Sequence, residues 1–187
     1  MHRMLNEDKQ RIINVSKLIL KSLFAVSVAI TLVSLPGMTK VIGLFQTDKN
    51  YRNKFNREIY RLKKNKYIRT YNKNGEVMLE ITKKGIKLVK KYNFEGLELK
   101  REIKWDKNWR MVMFDIPENK SSARKALRRK LNQLGFFKYQ KSVFIYPHSC
   151  KDEIDFISSY FGVGDFVDYV VAKRINNDSK IRKIFNL

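Results

Sequence analysis

A chain of 187 residues with 40 Lys+Arg against 18 Asp+Glu has room for one medium domain or two small ones. Its net charge of +22 points to a polyanionic partner, nucleic acid before anionic membrane. A single cysteine, Cys150, excludes an internal disulfide and fits a reducing, cytoplasmic setting, and two histidines, His2 and His148, leave almost no material for a zinc site or a histidine-based triad.

Ile12, Ile19, Leu20, Leu23 and Phe24 follow helical spacing, which predicts a helix starting near Asp8. From Ser22 to Thr39 no residue is charged, close to the length of about 20 apolar residues that spans a bilayer. Ser22, Ser27, Thr31 and Ser34 interrupt the run, and Pro36-Gly37 ends it. The expectation is a buried core segment with no membrane partner, and the late start of the run speaks against a signal peptide.

The stretch Asn50–Asn65 predicts an amphipathic helix. Tyr51, Phe55, Ile59 and Leu62 fall on one stripe, and Asn53, Arg57, Tyr60 and Lys64 on the other, flanked by Lys54 and Arg61. An apolar back and a basic, amide-bearing front suit a helix lying in the major groove of double-stranded DNA. There Arg reads guanine and Asn adenine, while Lys and Tyr hold phosphates. Tyr67–Tyr71 and Glu76–Thr82 read as strands joined by Asn72-Lys73-Asn74-Gly75, a hairpin with Lys73 near its tip. Lys83–Tyr92 returns to helical spacing, with Ile86 and Val89 inward. Helix, helix, basic helix, hairpin, helix is the order of a winged helix-turn-helix. The segment Ile81-Thr82-Lys83-Lys84-Gly85 resembles the strand-to-helix ending of many bacterial winged-helix regulators. Residues 49–104 hold 18 Lys+Arg and 6 Asp+Glu, so the basic excess gathers where helix and wing would meet phosphates. Asn93–Lys104, with alternating charge and little apolar content, reads as a linker between a domain at 1–92 and another at 105–187.

The second domain opens with Trp109–Pro117, WRMVMFDIP, whose apolar run Met111–Phe114 predicts a buried central strand. Period-2 geometry puts Met111, Met113 and Asp115 on one face, and Val112, Phe114 and Ile116 on the other. Ser121 or Ser122 is placed to cap the following helix, whose inner residues are Ala123, Leu127, Leu131 and Leu134 and which ends at Gly135. Strands at Phe136–Gln140 and Ser142–Pro147, a helix over Asp152–Phe161, a strand at Phe166–Lys173 and a polar tail with one more helical turn complete the order. Strand-helix-strand-strand-helix-strand is the ferredoxin-like arrangement, making the chain α+β.

WRMVMFDIP, ARKALRRKLNQLG, FFKYQKSVFIYP and DEIDFISSYFG together carry a sharper likeness. Over 105–175 the sequence resembles the middle domain of the PaaX-like transcriptional repressors, which is ferredoxin-like and follows a winged helix. That middle domain in turn resembles the small CRISPR-associated adaptation nuclease. The PaaX-like group carries a further C-terminal domain, for which Leu187 leaves no room here, and no small-molecule effector is identifiable. The resemblance implies a homodimeric DNA-binding repressor, without cofactor, paired through the second domain. The open sheet face there offers Met111 and Met113 to the dimer interface, with Asp115 at its rim. The alternatives are a nuclease in which Asp115 and its symmetry mate hold Mg or Mn, and an adaptation scaffold that binds duplex DNA without cutting it.

Overall fold

The computed structural model describes residues 16–24, 49–73, 76–100, 104–176 and 178–187, with the side chains at 49–52, 54, 73 and 76–77 outside the description. The chain divides into two compact units, Met1–Glu95 and Gly96–Leu187. The helix start expected near Asp8 and most of the uncharged run up to Thr39 lie outside the described residues.

In the first unit, a helix at 16–24 (α1) turns Ile19, Leu20 and Leu23 inward, and Lys49–Lys64 (α2) contributes Leu62. Strands Ile68–Lys73 (β1) and Glu76–Ile81 (β2) add Ile68 and Ile81, and helix Lys83–Glu95 (α3) adds Val89. These seven side chains form one apolar cluster, ringed by Phe24, Phe55, Ile59 and Ile86. So one face of the described part of the apolar N-terminal segment is core, while Leu18 and Lys21 are exposed. No helix among the described residues is long and apolar enough to cross a membrane. The α3 helix runs to Glu95, three residues into the stretch read as linker, with Phe94 half-buried near its end.

The two strands pair antiparallel from Ile68↔Ile81 to Lys73↔Glu76, while the two turn residues Asn74 and Gly75 lie outside the described residues. The hairpin is tied to α3 at one point. The Thr82 hydroxyl donates to the Lys66 and Tyr67 carbonyls at 2.7 and 3.1 Å and accepts the Gly85 N–H at 3.1 Å, as a residue capping a helix start does. Gly85 then passes so close to the residue before β1 that a Cβ there would stand 2.2 Å from the Tyr67 carbonyl oxygen. That contact gives the Ile81–Gly85 segment its physical reason: a cap, then a residue with no side chain.

The second unit has a four-stranded antiparallel sheet. Its strands are Trp109–Phe114 (β3), Phe137–Gln140 (β4), Val143–Tyr146 (β5) and Val167–Ala172 (β6), in the spatial order β4-β5-β3-β6. Helices Ser121–Gln133 (α4) and Lys151–Tyr160 (α5) lie between strands in the βαββαβ order of a ferredoxin-like domain. Val112, Phe114 and Ile116 are buried, as are Leu127 and Leu131 of α4 and Ile154 and Ile157 of α5. The helix-side face is therefore the one read from the two-residue alternation. Neither Ser121 nor Ser122 caps α4. A 3-10 turn at Glu118–Lys120 runs straight into the helix, with Lys120 at the cap position and no side-chain cap hydrogen bond. Gly135 does end it, at φ +87°.

The strand starts earlier than its apolar run, because Trp109 and Arg110 are also buried in it. Arg110 forms a bidentate pair with Asp106, both N–O distances 2.6 Å, and donates to the Asn108 and Pro147 carbonyls at 2.8 and 2.7 Å. A buried guanidinium is tolerable only with its donors used in this way. The opposite sheet face is not wholly open. The tail forms a helix, Ser179–Phe185 (α6), that docks Ile181 against Trp109 and Ile145, with Trp105, Met111 and Phe185 around them. Seven residues are too few for a helix to stand alone in water, so docking is what holds it. The Trp109 indole reaches Asp178 at 3.4 Å, Asp178 pairs with Arg182 at 2.8 Å, and that guanidinium sits 4.7 Å from the Trp105 ring centre.

Candidate nucleic-acid interface

Helix α2 is amphipathic for the reason its sequence gives. Phe55, Ile59 and Leu62 face the core, and Asn53, Arg57, Tyr60, Arg61 and Lys64 are exposed. Tyr60 is 67% exposed, a large aromatic left in solvent beside cations. Asn56 and Lys63 are exposed as well and extend the same face; the spacing of Asn53, Arg57, Tyr60 and Lys64 did not include them. Arg61, Lys63 and Lys64 fall in the last turn, where positive charge meets the negative end of the helix dipole. The Lys54 and Lys73 side chains lie outside the described residues, so the structure places neither against this face.

One residue behind the face escaped the sequence reading. Glu58 is 2% exposed; it accepts a hydrogen bond from the Ser16 hydroxyl and pairs with Arg61 at 3.0 Å. Arg61 also donates to Ser16 at 2.8 Å. Arg61 is thus anchored to α1 and to its own helix, while Arg57 stays solvent-facing. Spacing could have found the carboxylate, because Glu58 lies three residues after Phe55 and four before Leu62, on the inner stripe. With Glu58 turned inward, no acid remains among the exposed α2 side chains described.

On the hairpin the charges are balanced in pairs rather than gathered into a basic edge. Arg69 on β1 pairs across the strands with Glu80 at 2.7 Å, and that contact raises the guanidinium pKa above its usual value. Tyr71 is exposed one position further along the same face. Lys84 closes the base, donating to the Asn65 carbonyl at 3.0 Å and lying 4.9 Å from the Tyr67 ring centre.

In the second unit, Asp115 is exposed just beyond β3; its backbone N–H donates to the Phe166 carbonyl at 3.1 Å. No donor meets its carboxylate among the described residues, and no group of three or more His, Cys, Asp and Glu able to hold a metal ion occurs among them. Met111 is drawn into the Trp109–Ile145–Ile181 cluster, whereas half-buried Met113 stands opposite Asp168, itself exposed. Cys150, Tyr169 and Arg110 cluster under the α5 side. Burial is the main reason the Cys150 thiol is pushed up to about 12, and the Tyr169 hydroxyl lies 3.4 Å from the Cys150 amide.

Two comparisons with known proteins complete the description. Residues 102–184 match the family model of the PaaX protein central Cas2-like domain. No curated protein matches the chain.

Proposed function

We propose, from the premise that this chain carries a PaaX-type central domain, that it is a dimeric DNA-binding transcriptional regulator of the cytoplasm. The first unit is its DNA reader, a winged helix-turn-helix with α2 in the major groove and the β1–β2 hairpin as wing. The observation that carries this reading is the acid-free outer face of α2, where Asn53, Arg57, Tyr60 and Lys64 share one stripe and the only carboxylate, Glu58, is turned inward. Arg57 and Asn53 are the base readers, Tyr60 and Lys64 hold phosphates, Arg61 is positioned by Glu58, and Lys54 and Lys73 extend the charge. The second unit pairs two subunits through the part of the Met111 and Met113 sheet face that α6 leaves uncovered, around half-buried Met113, since Met111 is packed under α6, and so sets the half-site spacing.

The test is fluorescence anisotropy with duplexes selected by the wild-type protein from a random pool, over a salt series. Arg57→Ala costs about 1–3 kcal/mol on the selected sequence and flattens the preference among sequences, while Lys64→Ala weakens all sequences alike and lowers the salt slope by about 1. Unchanged affinity and preference in both variants would refute the reading. A second reading, a Mg- or Mn-dependent nuclease, is favoured by one observation, the exposed and unpartnered Asp115 carboxylate. Metal-dependent cutting of duplex or single-stranded DNA that Asp115→Asn abolishes would replace regulator by nuclease. Binding without cutting, kept by Asp115→Asn, supports the regulator.

A further inference from the structure

The net positive charge of the second unit is concentrated in one tract, with a shorter basic stretch in the tail at 173–183. Residues 117–141 hold eight Lys+Arg and one acid, Glu118, whereas the rest of 105–187 holds eight of each. The basic tract is α4 and the edge strand β4, and the acids Asp152, Asp155, Asp165 and Asp168 are exposed around α5 and β6, at the other end of the sheet order. A face kept merely soluble intersperses the two signs. Over 117–141 one sign dominates, eight cations to one acid.

Four of the five cations of α4 form two rows with different duties, the fifth, Lys130, being buried. Arg124 donates to the Ile116 carbonyl at 3.0 Å and to Glu118 at 2.6 Å, while Arg128 donates to the Ser142 hydroxyl at 3.2 Å and lies 5.7 Å from the Phe114 ring centre. Those two fix the helix to the sheet. The outer row is Ser122, Lys125, Arg129, Asn132 and Gln133, all exposed at helical spacing, with Lys125 and Arg129 about 6 Å apart along the axis. Lys138 stands opposite Phe144, on the sheet face that α4 covers, and is exposed. Exposed Lys141 continues the row around the α4 start. Glu118 is held below the usual carboxylate range chiefly by Arg124, with Lys125 and Lys141 both contributing, so these lysines flank the same point. Lysine on an edge strand discourages strand pairing, which accounts for Lys138 but not for the helix row.

We propose that this face, Lys125, Arg129, Lys138 and Lys141, is a second contact for the sugar-phosphate backbone of duplex DNA. It rests on the reading of the protein as a DNA-binding regulator, yet uses no residue of the first unit. Its cations and amides grip phosphate without reading bases, and the acidic side of the unit is turned away by repulsion.

The test is the full chain carrying Lys125→Glu, Arg129→Glu and Lys141→Glu together, all exposed positions, with circular dichroism to verify an unchanged fold. On a long duplex the slope of log affinity against log salt is expected to fall by about 3, with the ranking of sequences unchanged. The charge-keeping variant Lys125→Arg with Lys141→Arg is expected to match wild type. Wild-type slope in the triple variant overturns the proposal while leaving the first-unit reading intact. A reduced slope alongside an indifferent Arg57→Ala does the reverse. Loss of binding to phosphatidylserine vesicles, or of self-association, with DNA binding untouched would assign the face to a membrane or to a second copy, and equally overturns it.

Discussion

Replacing Gly85 by alanine tests the packing of the first unit at its tightest point. The added methyl would stand 2.2 Å from the Tyr67 carbonyl oxygen and 2.7 Å from Cγ1 of Ile81, both far inside van der Waals contact. Neither obstacle can yield cheaply. The Tyr67 carbonyl accepts the Thr82 amide at 3.0 Å and the Thr82 hydroxyl at 3.1 Å, and Ile81 is buried in the core cluster. So α3 must draw away from the hairpin. Overpacking of this kind costs about 1–3 kcal/mol, and a strained hydrogen bond adds about 0.5–1.5 kcal/mol. Alanine returns about 1 kcal/mol through its better helix propensity. The net expectation is a loss of about 1–3 kcal/mol, read as a lower urea midpoint by far-UV circular dichroism and as faster amide exchange over Ile68–Ile81. Gly135→Ala is a contrast, because no atom lies within 4 Å of its Cβ position and only its φ of +87° resists, at about 1–2 kcal/mol. A Gly85→Ala protein within about 0.5 kcal/mol of wild type would refute the reasoning.

Three further outcomes follow from the same contacts. Arg110 holds the Asp106 carboxyl well below its usual range, so this pair stabilises the fold fully above the unfolded value of about 3.9 and less as pH falls from there toward the folded pKa. Asp106→Asn is therefore expected to be less stable than wild type at pH 7 and to converge with it in acid, and an equal deficit at all pH values in urea titrations would contradict the linkage. Cys150, buried and raised to about 12, is expected to resist a thiol reagent at pH 8 in the native protein and to react promptly in urea; prompt native labelling would show the site to be open. Glu58→Ala strands Ser16 and frees Arg61, with an expected loss of about 1–3 kcal/mol by chemical denaturation, whereas an effect below about 0.5 kcal/mol would mean the network carries no weight.

Much of this architecture was legible because its strands and helices announce themselves by periodicity. The run from Met111 to Phe114 alternates between half-buried and buried positions, and the two sides of α2 separate at helical spacing. What sequence spacing missed depends on partners distant in the chain. Arg110 reads as the polar edge of a strand until Asp106 and the Pro147 carbonyl are brought to it. The polar tail reads as one more helical turn, but its docking does not show, because a helix this short displays only Ile181, Ile184 and Phe185, and its reason to fold lies on Trp109 and Ile145. Gly85 gives no sign of the carbonyl that forbids it a side chain. The outer face of α2 was legible as a face; Glu58 behind it was hidden by the habit of reading charge as exposure.

The docking of Trp105 and Trp109 around α6 also decides what light can report about this protein. These are its two tryptophans, their ring centres 4.8 Å apart and Trp109 fully buried, and both belong to the second unit. Indole emission selectively excited at the red edge of the absorption band therefore follows one unit alone. Its shift to longer wavelength marks the release of α6 and the opening of the sheet face beneath, while unfolding of the first unit, which holds only tyrosine and phenylalanine, passes unseen at that wavelength. Two optical signals from the unmodified chain, emission and ellipticity, separate the melting of the two units without a label.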